Sequence, residues 1–355
     1  MSFEQIFNQR TENTEKAHSR VNIIGEHTDY TGGYVMPTLL KFNTRIKISI
    51  NKEKNYQVYS DHYKELKIFN NFKKSQNNDW VDYIKGCLFV FYNENKNIKN
   101  THLNIYISSN IPMERGISSS SALCVATLKS LNKIFNTQYS NKHIAILAQK
   151  VERDYIGVSG GIMDQMVSSI GIHGKIFFLD CLSLKYELLD IPINWKFCLV
   201  DSEVKRNLRE SSYNERYDQL KKAEKEIGAG HLGSIKVKDF SQNNFSNPIV
   251  FKRAKHVVFE NDRVLKAKKY LKENDIKKFG QLMNKSHTSY SKDFEASTKE
   301  VDILTQRSLE FGALGSRLTG GGFGGFTVSL VKKSDYEEWY NNIKNYYDEN
   351  KIFEV

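Results

Sequence analysis

The chain has little cysteine: four residues in 355, Cys87, Cys124, Cys181 and Cys198, none in a C-x-x-C pair and all in apolar contexts. That usage argues against a disulfide framework or a thiolate zinc site and for reduced, buried thiols in a cytoplasmic protein. No stretch approaches 18 consecutive apolar residues, so no membrane-spanning helix is expected. The opening residues, MSFEQIFNQRTENTEK, lack the apolar core of a signal peptide. Charge is not concentrated either. The net +11 is spread through Asn- and Lys-rich segments such as 70–78 and 93–100, without the dense basic run of a nucleic-acid arm. It reads as a solvated surface that gives some steering to an anionic ligand. Internal repeats and low-complexity tracts are absent as well.

What is present suffices for globular cores: 39% hydrophobic and 12% aromatic residues. The length favours two domains over one. Alternation over Arg45 to Ile50 and Leu103 to Ile107 predicts half-buried strands, whereas the continuous runs Ile176 to Leu179 and Phe197 to Val200 predict strands buried on both faces. Helical spacing joins Cys124, Leu128, Leu131 and Phe135, then Ile144, Leu147, Val151 and Tyr155 behind a Ser140 N-cap. A charged helix is expected from Ser211 to Ile227. Two helices should span Arg263 to Lys285, parted near Asn274-Asp275. A last strand at Phe326 to Val331 precedes a charged amphipathic helix. Strands and helices intermix, so the class is α/β or α+β. The polar stretch around Ser183 to Pro192 is the candidate junction, dividing the chain into 1–188 and 189–355.

Four segments carry candidate chemistry. In RVNIIGEHTDYTGGYVMP (Arg20 to Pro37), an apolar strand breaks into Glu26, His27, Thr28 and Asp29. Ligands on such an extended turn splay, which argues against a metal, and no G-x-S-x-G elbow supports a serine triad. Acceptors and donors fanned around a polyol fit better. In IPMERGISSSSAL (Ile111 to Leu123), Gly116 and four serines open a helix, offering N–H groups and hydroxyls to an anion, although no Walker A loop occurs. A Ser-rich N-cap is the alternative. TGGGFGGF (Thr319 to Phe326) contains G-x-G-x-x-G at Gly320, Gly322 and Gly325. A strand follows it rather than a helix, so a dinucleotide fold is not indicated. Five glycines in six residues imply close backbone approach to a ligand or another segment. In GGIMDQ, Asp164 sits among apolar neighbours, as a general base or as a helix cap.

Taken in order, these segments resemble the GHMP kinase superfamily and the galactokinase family in particular. GGIMDQM with LDCLSL, KRNLRESSYNER, RAKHVVFENDR and LMNKSH extend the likeness over nearly the whole chain. The resemblance implies an α+β protein with an N-terminal mixed-sheet lobe, a C-terminal ferredoxin-like α+β lobe and the active site between them. It implies ATP-dependent phosphorylation of the C1 hydroxyl of D-galactose, with Mg²⁺ as cofactor. Asp164 and Arg20 would be catalytic. Glu26, His27, Asp29, Gly161, Asp164 and Tyr213 would hold the sugar. Trp80, Gly116, Ser118, Ser119 and Ser120 would hold ATP, and Ser120 and Glu152 the metal. The implied protein is a cytoplasmic monomer whose partners are galactose and Mg·ATP, with no nucleic acid and no membrane. A sister anomeric kinase for N-acetylgalactosamine, a uronic acid or a pentose is the runner-up. A catalytically dead sugar sensor is disfavoured, because the serines, Asp164 and Arg20 are all present. The chain departs from the family at Glu114-Arg115, at Ser121 in place of alanine, and at Ala17-His18-Ser19-Arg20 where the family reads A-P-G-R.

Overall fold

Runs rich in β-branched and aromatic residues form the strands, and apolar stripes at helical spacing form the helices. The computed structural model describes residues 1–76, 79–98, 101–112, 115–204 and 209–355. The chain begins with α1 (Phe3–Phe7), β1 (Asn13–Asn22), β2 (Tyr34–Val35), β3 (Pro37–Asn51), β4 (Tyr56–Ser60) and β5 (Glu65–Phe69). It continues through α2 (Val81–Glu94), β6 (His102–Ser109), α3 (Ser119–Ile134), α4 (Asn141–Lys150) and α5 (Met163–Ile170). Next come β7 (Lys175–Asp180), β8 (Lys185–Asp190), β9 (Trp195–Asp201), α6 (Arg209–Glu226), α7 (Pro248–Lys272) and α8 (Ile276–Lys292). The remainder is α9 (Lys299–Glu310), β10 (Gly315–Leu318), β11 (Phe326–Lys332), α10 (Tyr336–Ile343) and β12 (Ile352–Glu354). Two compact units share this chain. One holds Met1–Arg20, Leu40–Met113 and Ser118–Ile170, and the other Val21–Leu39, Glu114–Ile117 and Gly171–Val355.

In the first unit β3 pairs antiparallel with β6, from Thr44 opposite Ser109 to Asn51 opposite His102. β4 runs parallel to β6 and antiparallel to β5. The core gathers Ile46, Ile48, Ile84, Leu88, Phe91, Ile105, Leu128, Leu131 and Leu147. Strand β6 departs from the half-buried expectation, since every residue from Leu103 to Ile107 is buried. Its second face is covered too: Phe3 of α1, with Ile6 and Phe7, packs against Tyr59 and Tyr106. Alternation cannot report a cover supplied by the distant N-terminus. Helix α4 is capped as expected, with the Ser140 hydroxyl accepting the His143 N–H at 3.2 Å. It then widens into a π-helical turn over Val151–Ile156.

In the second unit β10, β11, β9 and β12 form an antiparallel sheet in that spatial order. β7 and β9 are the doubly buried strands their apolar runs predict. The helix break falls where expected: Asn274 turns left-handed (φ 54°) and the Asp275 carboxylate accepts the Lys278 N–H at 3.0 Å. Helix α7 starts fifteen residues before Arg263, at Pro248, with Asn247 accepting the Ile249 N–H at 2.8 Å. That is a Pro-initiated, Asn-capped start. The polar stretch around Ser183 to Pro192 contains β8, whose Lys185–Asp190 pair antiparallel with β7. The C-terminal helix is short, Tyr336–Ile343, and the chain returns as β12 with Ile352 opposite Val200. Three residues are too few for a periodic signal. Among the described residues the four cysteines are free and buried, and no helix is long and apolar enough to cross a membrane.

Helix α8 approaches β10 so closely that a Cβ on Gly280 would lie 2.4 Å from the Leu314 carbonyl oxygen. Gly280→Ala should therefore destabilise the chain by about 1–3 kcal/mol through overpacking against backbone. Thermal melts test this, and an unchanged Tm would refute the close approach.

Candidate active site

Three of the predicted residues meet within the first unit. Arg20, near the end of β1, aims its guanidinium edge at Asp164 in the first turn of α5. Nε reaches Oδ1 and NH2 reaches Oδ2, each at 2.6 Å. This is a two-point fork, the strongest geometry open to an arginine and a carboxylate. The Ser118 hydroxyl donates to Asp164 Oδ2 at 2.8 Å. Asp164 is therefore engaged by side chains across the unit and does not act as a helix cap. Ser118 stands at the N-cap of α3 in left-handed conformation (φ 64°), which turns its hydroxyl away from the usual capping bond. Ser119 and Ser120 form the first turn of α3, both half-buried.

Glu152 lies on the π-helical turn, buried. The Ser121 hydroxyl donates to its Oε2 at 2.8 Å, and Gln165 Nε2 donates to the same oxygen. Burial raises the Glu152 carboxyl above its ordinary range, against the pull of Ser120, Ser121 and Gln165 and with help from the Asp164 charge. Ser121, where the family carries alanine, is thus a ligand to this carboxylate. π-helical turns are rare and cluster at functional sites. Gly161 lies half-buried in the loop leading into α5, three residues before Asp164. Trp80, at the start of α2, stacks on Tyr63 (centroids 5.7 Å, 14° between planes) and donates Nε1–H to Glu65 at 3.3 Å.

The second unit holds the remaining predicted residues. Glu26 is 3% exposed, and its Oε1 accepts from Arg317 NH1 (3.1 Å), Thr319 Oγ1 (3.1 Å) and the Gly320 N–H (2.9 Å). Its Oε2 accepts from Asn22 Nδ2 at 3.1 Å. His27 is left-handed (φ 61°), a conformation costly for a side chain of this size. The Tyr290 hydroxyl gives its proton to the Gly320 carbonyl at 2.8 Å. His27 Nε2 therefore donates to Tyr290 at 2.8 Å, and Nδ1 is hydrogen-bonded to the Tyr30 hydroxyl at 2.8 Å. The Tyr213 ring lies 5.4 Å from that of His27, and Asp29, half-buried, opens the short 3₁₀ turn that follows. Among the described residues no group of three or more His, Cys, Asp or Glu is arranged to hold a metal.

The glycine-rich loop packs on another chain segment. Gly320 has φ +84°, and a Cβ there would lie 2.8 Å from the carbonyl oxygen of Gly116. Arg115 is described, whereas Glu114 lies outside the described residues. Arg115 forks onto Asp201 through Nε (3.2 Å) and NH1 (3.3 Å). Of KRNLRESSYNER, residues 205–208 also lie outside the described set.

Sequence reasoning assigned no role to a set of buried charges in this unit. Glu260 accepts from Arg263 Nε (2.6 Å), the Ser286 hydroxyl (2.6 Å) and the Gly25 N–H (2.9 Å). Arg317 Nε donates to Ser286 Oγ at 3.1 Å. His256 Nε2 meets the Glu26 carbonyl at 3.3 Å, and a carbonyl only accepts, so Nε2 carries the proton. The available signal was His256, Glu260 and Arg263 recurring at helical spacing on the buried stripe of α7, among Val257 and Val264.

A serine-opened helix with a forked carboxylate, a glycine-rich loop before a strand, and these folds are those of a GHMP kinase. The GHMP kinases N terminal domain matches residues 82–171 and the GHMP kinases C terminal domain matches 267–349. A mevalonate kinase structure, 22% identical, shares the fold at TM-score 0.70 over 97% of this chain and 98% of its own. Residues 1–50 match the galactokinase galactose-binding signature. The chain is 35% identical over 360 residues to a galactokinase of Lacticaseibacillus casei, covering 98% of this chain and 92% of that one. It is 37% identical over 357 residues to one of Clostridium beijerinckii, covering 97% and 92%. Against a Lactococcus lactis galactokinase complexed with galactose it reaches TM-score 0.92 at 30% identity, over 99% of this chain and 95% of that one. The chain belongs to the galactokinase family.

Burial holds His256 down at about 4, against the pull of Glu260 and with help from Arg263. Burial pushes Glu260 up, but Arg263, His256, Arg317 and the Ser286 hydroxyl outweigh it and bring it to about 2. Both groups are thus depressed by folding. The stability they contribute is full above the unfolded histidine value of about 6.5 and is lost as pH falls, first through His256 and then through Glu260. The melting temperature should be level above about pH 7 and fall below about 6.5, with a slope of at most about 1.4 kcal/mol per pH unit from His256. His256→Gln should flatten the upper part of that fall. Melts of both proteins across pH decide it, and an unaltered slope in the variant would discard the assignment.

Proposed function

We propose that this chain transfers the γ-phosphoryl group of ATP to the anomeric C1 hydroxyl of D-galactose, giving galactose 1-phosphate, the first step of galactose utilisation. The observation that carries the reading is the fork of Arg20 on Asp164, joined by Ser118 at the start of the serine-rich helix. Asp164 Oδ2 takes two donors and Oδ1 one, so Oδ1 keeps a lone pair for the attacking hydroxyl. In this reading Asp164 receives or orients that proton as the P–O bond forms, and Arg20 meets the charge on the transferring group. Catalysis is then mainly positioning and charge stabilisation.

Glu26, His27, Asp29, Gly161 and Tyr213 are proposed as the sugar's surroundings, with Glu26 offering Oε2, the oxygen with a single donor. Gly116 and Ser118 to Ser120 would take the ATP phosphates through N–H groups and hydroxyls, and Trp80 the adenine. Glu152 and the adjoining Ser120 hydroxyl form an oxygen-only donor pair. That chemistry fits Mg²⁺, which takes one or two protein oxygens and completes its shell with phosphates and water. When bound, the ion neutralises phosphate charge. The reading is of a monomer working in the cytoplasm, where its free thiols stay reduced. Lobes 1–188 and 189–355 are kept as functional divisions, with the family's N- and C-terminal models falling within each.

ADP release coupled to a panel of sugars with Mg·ATP tests the assignment: turnover is expected on galactose, and turnover only on another sugar would sink it. Asp164→Asn should lower kcat by about 10²- to 10⁴-fold, the span typical of a lost proton-transfer group. Undiminished turnover in that variant would remove Asp164 from the chemistry.

A further inference from the structure

We infer that Glu260, Ser286 and Arg317 are positioning residues for the sugar, acting through the segment Asn22 to His27. The inference rests on the galactose reading of that segment. Arg317 and Glu260 are fully buried, on β10 and α7, and Ser286 on α8 joins them. From this relay, contacts run to successive points of one short stretch. Arg317 NH1 donates to the Asn22 and Ile23 carbonyls, each at 3.4 Å, and to Glu26 Oε1 at 3.1 Å. Glu260 Oε1 accepts the Gly25 N–H at 2.9 Å. The Thr319 hydroxyl shares its single proton between the Asn22 carbonyl at 2.8 Å and Glu26 Oε1 at 3.1 Å.

The charges balance, two acidic (Glu26, Glu260) against two basic (Arg263, Arg317). Stability alone does not account for it, because well-packed apolar side chains often serve as well or better than a buried ion pair. What apolar groups cannot supply is direction. Each bond here fixes a named backbone atom or carboxylate oxygen within hydrogen-bond reach, next to His27, whose left-handed backbone must be over-determined by its surroundings. A displacement of about 1 Å in such groups is enough to weaken recognition severely. None of the three residues needs to touch the sugar to set its affinity.

Two variants test this, each in the full-length chain. Ser286→Ala removes the hydroxyl between Arg317 and Glu260 and keeps both charges. Arg317→Lys keeps the charge and loses the fork that serves Ser286 and Glu26 together. Each should raise the KM for galactose about tenfold, the scale of one orphaned buried polar group. The KM for ATP and kcat should stay within about threefold, because uniform sugar binding is what is lost. Calorimetric titration with galactose in the absence of ATP should show the same weakening. A purely structural cluster would lower Tm and the active fraction while leaving both KM values in place, and that result overturns the inference. If Arg317→Lys does not fold, Ser286→Ala decides alone. Wild-type turnover of another sugar only would overturn the galactose reading, and the same KM comparison made on that sugar would still decide this one.

Discussion

The ion pair of Arg317 with Glu26, at 3.1 Å with both side chains buried, is the constraint from which the second unit's arrangement follows. A charge removed from water must be met on every side. Glu26 answers with Thr319, the Gly320 N–H and Asn22. Arg317 answers with Ser286, which leads to Glu260 and Arg263. The strand end, the glycine-rich loop and two helices are thereby bound to one electrostatic solution. Each must be in place for the others to be satisfied.

The first unit solves a related problem with fewer charges. Asp164 is answered by Arg20 and Ser118, and Glu152 by Ser121 and Gln165. A run of serines beyond what one helix cap requires is thus divided between two carboxylates. Ser118 turns to Asp164, while Ser121 turns to Glu152. The left-handed backbone at Ser118 separates the two directions.

Much of this was legible beforehand, for identifiable reasons. Strands β7 and β9 and the break before α8 follow local rules of apolar run, left-handed Asn and Asp cap. The family motifs pointed to residues that the folded chain groups together, Arg20 with Asp164 and His27 with Tyr213. Illegible were features set by distant partners. The cover on β6 comes from α1, β12 is too short to carry a period, and the destination of Arg115, Asp201, stands 86 residues away. The buried charges of α7 were visible as a pattern but not as a purpose, because their partners lie on α8, on β10 and before β2.

The interleaving of the two compact units has a bearing on how such a protein can be taken apart. The chain leaves the first unit between Arg20 and Val21, returns at Leu40, leaves again after Met113 and re-enters at Ser118. The first and last of these crossings cut through motifs that matter most, the arginine end of the first signature and the start of the serine run. Neither unit corresponds to a continuous gene fragment. Chimeras built by exchanging one half of the coding sequence for that of a relative would inherit mismatched pieces of both units. A useful split for complementation, or a new pair of termini, belongs instead in a surface turn within one unit, such as the one joining β7 to β8.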